Sequence, residues 1–345
     1  MTYRHWVKKT IYMIFALILV YLCISFTTFL IKPLFTTKAS INYDFQSGST
    51  LRNFVYYLQQ QQLINKQKAW YFEFLARISG KSQQLQAGEY EFTDQMTPME
   101  ILMKMVRGEV KHYDITLVEG WTFKQIKAAL ALAPKLTHEL NVTNSSTLKK
   151  ILAVNRENFE GIFYPDTYQY TKGTTDIEIL QRAQKLMQTK LNSLWATRAV
   201  NLPYKTTYQA LIIASMIEKE ARLNTEKPLI AGVIVNRLRK HMYLQIDPTV
   251  IYALGDSYHG KITSKDLRIR SPYNTYVKKG LPPTPISIPG FESLQAALNP
   301  AQTKALYFVA KGDGSHVFSQ TLAQHDAAIK KYRLNKKTKK NSTGQ

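Results

Sequence analysis

One cysteine, Cys23, stands in a chain of 345 residues, so no intramolecular disulfide framework can hold this protein together. Fifteen glycines and thirteen prolines are too few for a collagen-like or low-complexity chain. Acidic residues are scarce, 24 Asp+Glu against 46 Lys+Arg, for a formal net charge of +22. The seven histidines show no H-E-x-x-H spacing, and a single thiol cannot build a cysteine-rich zinc site, so no metal and no cofactor is expected. There is no Walker-type phosphate loop and no G-x-S-x-G elbow, which leaves nucleotide hydrolysis and α/β-hydrolase chemistry without support.

The chain does contain enough apolar residues, 45%, for a sizeable core, and its length allows two domains or one large one. Residues 11–31, IYMIFALILVYLCISFTTFLI, carry no charge. About 20 such residues at ~1.5 Å each cross a hydrocarbon core of ~30 Å, so this stretch reads as a transmembrane helix. Arg4, Lys8 and Lys9 precede it. The positive-inside rule then puts residues 1–10 in the cytoplasm and everything after the span outside, in a single-pass protein of the cytoplasmic (inner) membrane. No small-residue cleavage pattern follows the apolar run, so the anchor is expected to stay attached. Nearly all the excess positive charge then lies on the exported, periplasmic part. There it faces anionic lipid head groups and wall carboxylates rather than nucleic acid, or simply solvates the surface.

Past the span, the patterning predicts an α+β protein. INYDFQ (41–46), QAGEYEF (86–92) and KHYDITLVEG (111–120) read as strands, and LRNFVYYLQQQ (51–61) as a helix. Thr97, Pro98, Glu100 and Gly108 carry the signals of a capped helix over PMEILMKMVR, and Thr122 those of a following one. These elements make up a small αβ subdomain over 40–118. A larger, mostly helical domain follows over 119–333, with helices expected at 176–200, 206–223 and 226–242 and a short hairpin around KGDGSH (311–316). The Pro-rich stretch 271–290 should be a long shaped loop. Residues 334–345 form a basic, polar tail.

Chemistry concentrates in three places. ALIIASMI (210–217) is apolar on nearly every face, so a buried helix delivers Glu218 and Glu220 to the edge of a core. A carboxyl group there can be kept protonated by desolvation and serve as a general acid on a glycosidic oxygen. Equally, Glu218 could pair with Arg222 one turn on while Glu220 faces solvent. In YLQIDPTVIYALG (243–255), Asp247 has the position of a helix N-cap, with Gln245 and Tyr252 free for hydrogen bonds. In the Pro-rich loop, Asn274, Thr275 and Tyr276 supply the donors, acceptors and aromatic face that a sugar groove uses, although turn chemistry accounts for Asn274 as well.

The blocks EGIFYPDTY (160–168), ASMIEKEA (214–221), IAGVIVNRL (230–238), LQIDPTVIYALG (244–255), SPYNTY (271–276), GLPPTPI (280–286), ALNP (297–300) and HVFSQT (316–321) together resemble the YceG-like endolytic murein transglycosylases. The anchor, QAGEYEF and ITLVEGWTF (115–123) resemble that family's single-pass anchor and LysM-like subdomain. The resemblance implies cleavage of the β-1,4 bond between N-acetylmuramic acid and N-acetylglucosamine in nascent peptidoglycan strands, leaving a 1,6-anhydro end and terminating strand elongation. It implies Glu218 as the acid, with Glu220 as its neighbour and competitor. Gln245, Asp247, Asn274 and Tyr276 become substrate-positioning residues. Peptidoglycan strands and the lipid bilayer are the implied partners, and wall synthases a further one. Ile246, Ala253 and Thr284 depart from the Thr, Gly and Gly common in the family. A non-catalytic wall-binding scaffold and a hydrolytic muramidase are the competing readings; turnover separates the first, and reducing rather than anhydro product ends the second.

Overall fold

The computed structural model describes residues 2–35, 40–154 and 158–334, so the tail beyond Leu334 lies outside the described residues. The chain forms two compact units: residues 1–113 with 170–173, and residues 114–169 with the rest from 174 onward.

The first unit begins with helix α1 (Thr2–Ile31), whose large apolar side chains from Trp6 to Leu22, and Ile24, are exposed. It is the one helix among the described residues long and apolar enough to cross a membrane. Strand β1 (Ile41–Phe45), helices α2 (Leu51–Gln60) and α3 (Lys66–Ile78) and strand β2 (Gly88–Phe92) follow, with β1 antiparallel to β2 so that Tyr43 faces Tyr90. Helix α4 (Pro98–Arg107) starts in the expected box: Thr97 Oγ1 accepts from the Glu100 amide and the Glu100 carboxylate accepts from the Thr97 amide. It stops at Gly108, which takes the left-handed conformation a side chain would oppose. Phe54, Phe72, Tyr90, Phe92, Ile101 and Met105 are fully buried and form the core of this unit.

The sequence pattern assigns no element to 62–85, yet the chain forms α3 there, capped by the Asn65 side chain. The reason is visible in its faces. Tyr71, Phe72 and Leu75 are buried while Trp70, Phe74 and Ile78 are exposed, so apolar residues fall on both sides and the amphipathic signal cancels.

Strands β3 (His112–Thr116) and β4 (Thr167–Thr171) pair, and the division between the units falls within them. The second unit is mostly helical: α5 (Phe123–Leu132), α6 (Ser145–Ile151), α7 (Asp176–Ala196), α8 (Thr207–Glu220), α9 (Lys227–Arg239), α10 (Asp247–Leu254) and α11 (Phe291–Leu298). The hairpin of β5 (Tyr307–Ala310) and β6 (His316–Ser319) and helix α12 (Leu322–Ile329) close it. Thus the chain is a mixed α+β protein, and the Pro-rich segment 271–290 is free of helix and strand as its prolines require.

Helix α8 is the axis of this unit. Residues 210–217 are all buried, and α7, α9, α10 and α11 pack around them. Helix α9 can sit close only because Gly232 lacks a side chain: a Cβ there would lie 2.5 Å from the Ala301 carbonyl oxygen. Gly232→Ala should therefore lower the thermal unfolding midpoint of the full-length protein, although alanine favours a helix by about 1 kcal/mol over glycine. A raised midpoint in circular dichroism would refute the close approach.

Candidate active site

Helix α8 ends at Glu220, because Ala221 turns to an extended backbone. Two positions apart on a helix of 3.6 residues per turn is a rotation of about 200°, so Glu218 and Glu220 leave the helix on opposite sides.

On one side, Glu218 is nearly enclosed. Its Oε2 accepts from the Gly290 amide (3.0 Å), from Ser293 Oγ (2.6 Å) and from Lys227 Nζ (3.4 Å). The ion-pair partner is Lys227, not Arg222, which is exposed. The Lys227 and Glu218 side chains are 3% and 9% exposed, so this is a buried pair. Gly290 is the N-cap of α11 and Ser293 lies in its first turn, so the carboxylate also meets the positive end of that helix. Glu119 lies against the same place: a Cβ on Gly290 would fall 1.9 Å from its Oε1. Burial and then the charges of Glu218 and Glu292 push the Glu119 carboxyl above its ordinary range, with Lys227 opposing.

On the other side, Glu220 lines a cavity of about 250 Å³ together with Arg237, Gln245, Asp247, Tyr276 and His325. Three of the expected substrate-positioning residues, Gln245, Asp247 and Tyr276, thus meet around one cavity with Glu220, and Glu218 and Asn274 do not line it. Tyr276 donates its hydroxyl proton to Asp247 Oδ1. The N-cap of α10 is Ile246 rather than Asp247, which sits in the first turn with its side chain turned to Tyr276. Thr275 stitches these segments together. Its carbonyl accepts from the Gln245 amide (3.1 Å), its hydroxyl from the Ile246 amide (2.9 Å), and it shares a hydrogen bond with Thr249 Oγ1 (2.9 Å). Those bonds hold Gln245 at φ +52°, a left-handed conformation uncommon for a non-glycine residue. Asn274 is fully buried. Its amide donates to the Leu267 and Ile269 carbonyls and its oxygen accepts from the Tyr276 amide, so turn chemistry accounts for it.

Arg237, which the sequence reading did not single out, floors the cavity at 6% exposure. Its Nη1 donates to the Tyr243 and Leu244 carbonyls and to Gln245 Oε1, its Nε donates to the Leu306 carbonyl, and its guanidinium lies 5.1 Å from the Tyr307 ring centroid. Tyr307 in turn stacks on His325. Thus α9, the 243–247 turn, β5 and α12 are clamped around one guanidinium. A second missed carboxylate is Glu160, 4% exposed, which accepts from the Phe123 amide (2.9 Å) and from the Tyr252 hydroxyl (3.1 Å). Burial pushes its carboxyl up to about 7 against those two bonds. The signal for Glu119 and Glu160 was there: each is the first acidic residue in its motif block, ITLVEGWTF and EGIFYPDTY.

Known proteins resemble this chain over most of its length. A family model described as the YceG-like family matches residues 43–331. An endolytic murein transglycosylase of Bacillus subtilis is 34% identical over 326 residues, covering 88% of each chain. One of Streptococcus pneumoniae serotype 2 is 28% identical over 292 residues, 75% of this chain and 52% of that protein. The crystal structure of a yceG-like protein of Listeria monocytogenes is 33% identical with a TM-score of 0.52, over 84% of this chain and 99% of that one.

The Glu160 carboxyl gives a pH test. Its acidity is weaker in the folded than in the unfolded chain, so its favourable contribution is fully present below about pH 4.5 and is lost as pH rises through about 7. Glu160→Gln does not titrate. Its stability relative to wild type should therefore improve between pH 5 and pH 8, by up to about 3 kcal/mol, in urea unfolding at a series of pH values. A difference constant with pH would contradict the shift.

Proposed function

The chain belongs to the YceG-like family, and from that membership and the cavity beside Glu220 we infer that it is an endolytic murein transglycosylase, a lyase of peptidoglycan. The substrate is the glycan strand, cut within its length at the N-acetylmuramic acid to N-acetylglucosamine bond, and the cut ends the elongation of a nascent strand.

The acid in this reading is Glu220, the competitor of Glu218 in the sequence reading. What supports it is position: Glu220 lines the cavity with Gln245, Asp247 and Tyr276, and Glu218, on the opposite side of α8, does not. In the reaction, the Glu220 carboxyl gives its proton to the glycosidic oxygen as the C1–O bond breaks. The C6 hydroxyl of the same muramic residue then closes on C1, and the Glu220 carboxylate takes the hydroxyl proton, which restores the acid and leaves the 1,6-anhydro ring. No water and no second nucleophilic carboxylate is consumed, unlike in a hydrolytic glycosidase. Asp247 and Tyr276, joined to each other, and Gln245, fixed by Arg237, are positioning residues for the sugar. Glu218 acts through the fold: its pair with Lys227 and its bonds to Gly290 and Ser293 hold the end of α8.

Lys8 and Lys9 ahead of the apolar helix support a cytoplasmic N-terminus, with the remainder beyond the membrane on the wall side. Helices α2 and α3 between the paired strands β1 and β2 support a LysM-like reading of the first unit. Tethering to the membrane raises the local concentration of nascent strands and of wall synthases, the partners this placement suggests.

The full-length protein, incubated with purified glycan strands, should release anhydro-muramic ends detectable by mass spectrometry. Glu220→Gln should lower that rate about 100-fold or more while keeping the unfolding midpoint. Glu218→Gln should instead destabilise the fold by about 3–5 kcal/mol, because Lys227 stays buried without its partner. Full activity in Glu220→Gln, or reducing ends from wild type, would overturn the assignment.

A further inference from the structure

Helix α3 carries a stripe that its own unit leaves largely exposed. Trp70, Phe74 and Ile78, spaced by four residues, are 60%, 40% and 58% exposed, and the Trp70 and Phe74 rings stack at 5.4 Å with an angle of 4°. In water such a stripe leaves apolar area exposed.

What lies beside it is the end of α1. Ser25 Oγ accepts from Gln67 Nε2 (2.9 Å), Phe26 packs edge-on against Tyr71 and Phe74 (5.4 and 5.6 Å), and Phe29 lies 5.5 Å from Tyr71. Ser25 precedes the end of α1 at Ile31 by six residues, or about 9 Å along the axis. If the apolar span reaches Ile31, α3 is gripped at a level below the exit of the helix, inside the outer boundary of the hydrocarbon. Basic side chains flank the stripe on the same helix and just after it: Lys66, Arg77 and Lys81 are exposed or partly exposed, against the single acidic residue Glu73 on α3.

We propose that α3 lies in the outer head-group layer of the bilayer, with Trp70, Phe74 and Ile78 dipped toward the acyl chains and Lys66, Arg77 and Lys81 reaching lipid phosphates. The inference rests on the reading of α1 as a membrane span. Tryptophan favours this layer because its ring is both apolar and able to donate, and an amphipathic helix settles about 5–10 Å into it. Long basic side chains reach outward to the phosphates from such a depth. The first unit is then held to the membrane at two places, the span and α3, which fixes its tilt rather than leaving it to swing on one helix.

The test is collision of spin labels with oxygen, which partitions into lipid, and with a polar nickel chelate, which does not. Full-length protein is reconstituted into vesicles of phosphatidylglycerol and phosphatidylethanolamine. One label is placed on the native Cys23. In a Cys23→Ser background, others replace Trp70, Ile78 and, as a control on α2, the exposed Tyr56. We expect chelate collisions at positions 70 and 78 several-fold rarer than at 56, with oxygen collisions more frequent, and the label at Cys23 shielded from the chelate. A shielded Cys23 with positions 70 and 78 as open to the chelate as 56 would overturn the docking alone. Chelate access at Cys23 would overturn the span and the docking with it.

Discussion

A carboxylate enclosed at the end of a buried helix is stabilised by donors where it lies, and the second unit of this protein is organised by one such match. Glu218 closes the end of α8 against Lys227 of α9 and against the Gly290 amide and Ser293 of α11. An ion of either sign left alone at that depth costs several kcal/mol, so the pair is an all-or-none constraint: three helices approach one point together or not at all. Gly290 sits at the same point with the carboxylate end of Glu119 against it, so a side chain there would displace that carboxylate.

That constraint has a geometric consequence for chemistry. With Glu218 bound inward, the helical rotation of about 200° over two residues turns Glu220 the other way, to a cavity whose remaining walls are tied down independently. Arg237 binds carbonyls of two distant segments at once, and Thr275 locks the 245–249 turn to the Pro-rich loop. Glu220, Gln245, Asp247 and Tyr276 thus stand on pieces of chain held by buried polar bonds, the rigidity that positioning a sugar ring demands. In the proposed mechanism two acids separated by a single lysine carry two tasks, one for the fold and one for the substrate.

Much of this was legible in the sequence where a local rule suffices. The Thr97–Glu100 cap, the apolar run of α8, the prolines of 271–290 and the hairpin around 311–316 are decided by neighbours a few residues away. Asn274 was legible as turn chemistry, and the structure has it entirely so. What escaped depends on residues far apart in the chain. The bonds that hold Glu218 inside the protein come from Lys227, Gly290 and Ser293, up to 75 positions away. Arg237 reads in sequence as the basic end of an ordinary helix, and only the distant segment entering β5 supplies the Leu306 carbonyl and the Tyr307 ring that bury it. Helix α3 hides because two apolar faces erase its periodicity, and the second face has its explanation in the neighbouring end of α1. The blocks that resemble the family nevertheless led to the right chemistry, and four of them, ASMIEKEA, IAGVIVNRL, LQIDPTVIYALG and SPYNTY, contribute residues to the lining of the cavity.

The claim that most needs a direct view is the division of labour between the two carboxylates. A crystal structure of the Glu220→Gln protein bound to an uncut glycan oligomer would supply it. The account predicts the glycosidic oxygen within about 3 Å of the side chain at position 220, with Glu218 still held by Lys227 and Ser293. A scissile oxygen seated beside Glu218 instead, with Lys227 drawn away, would contradict it.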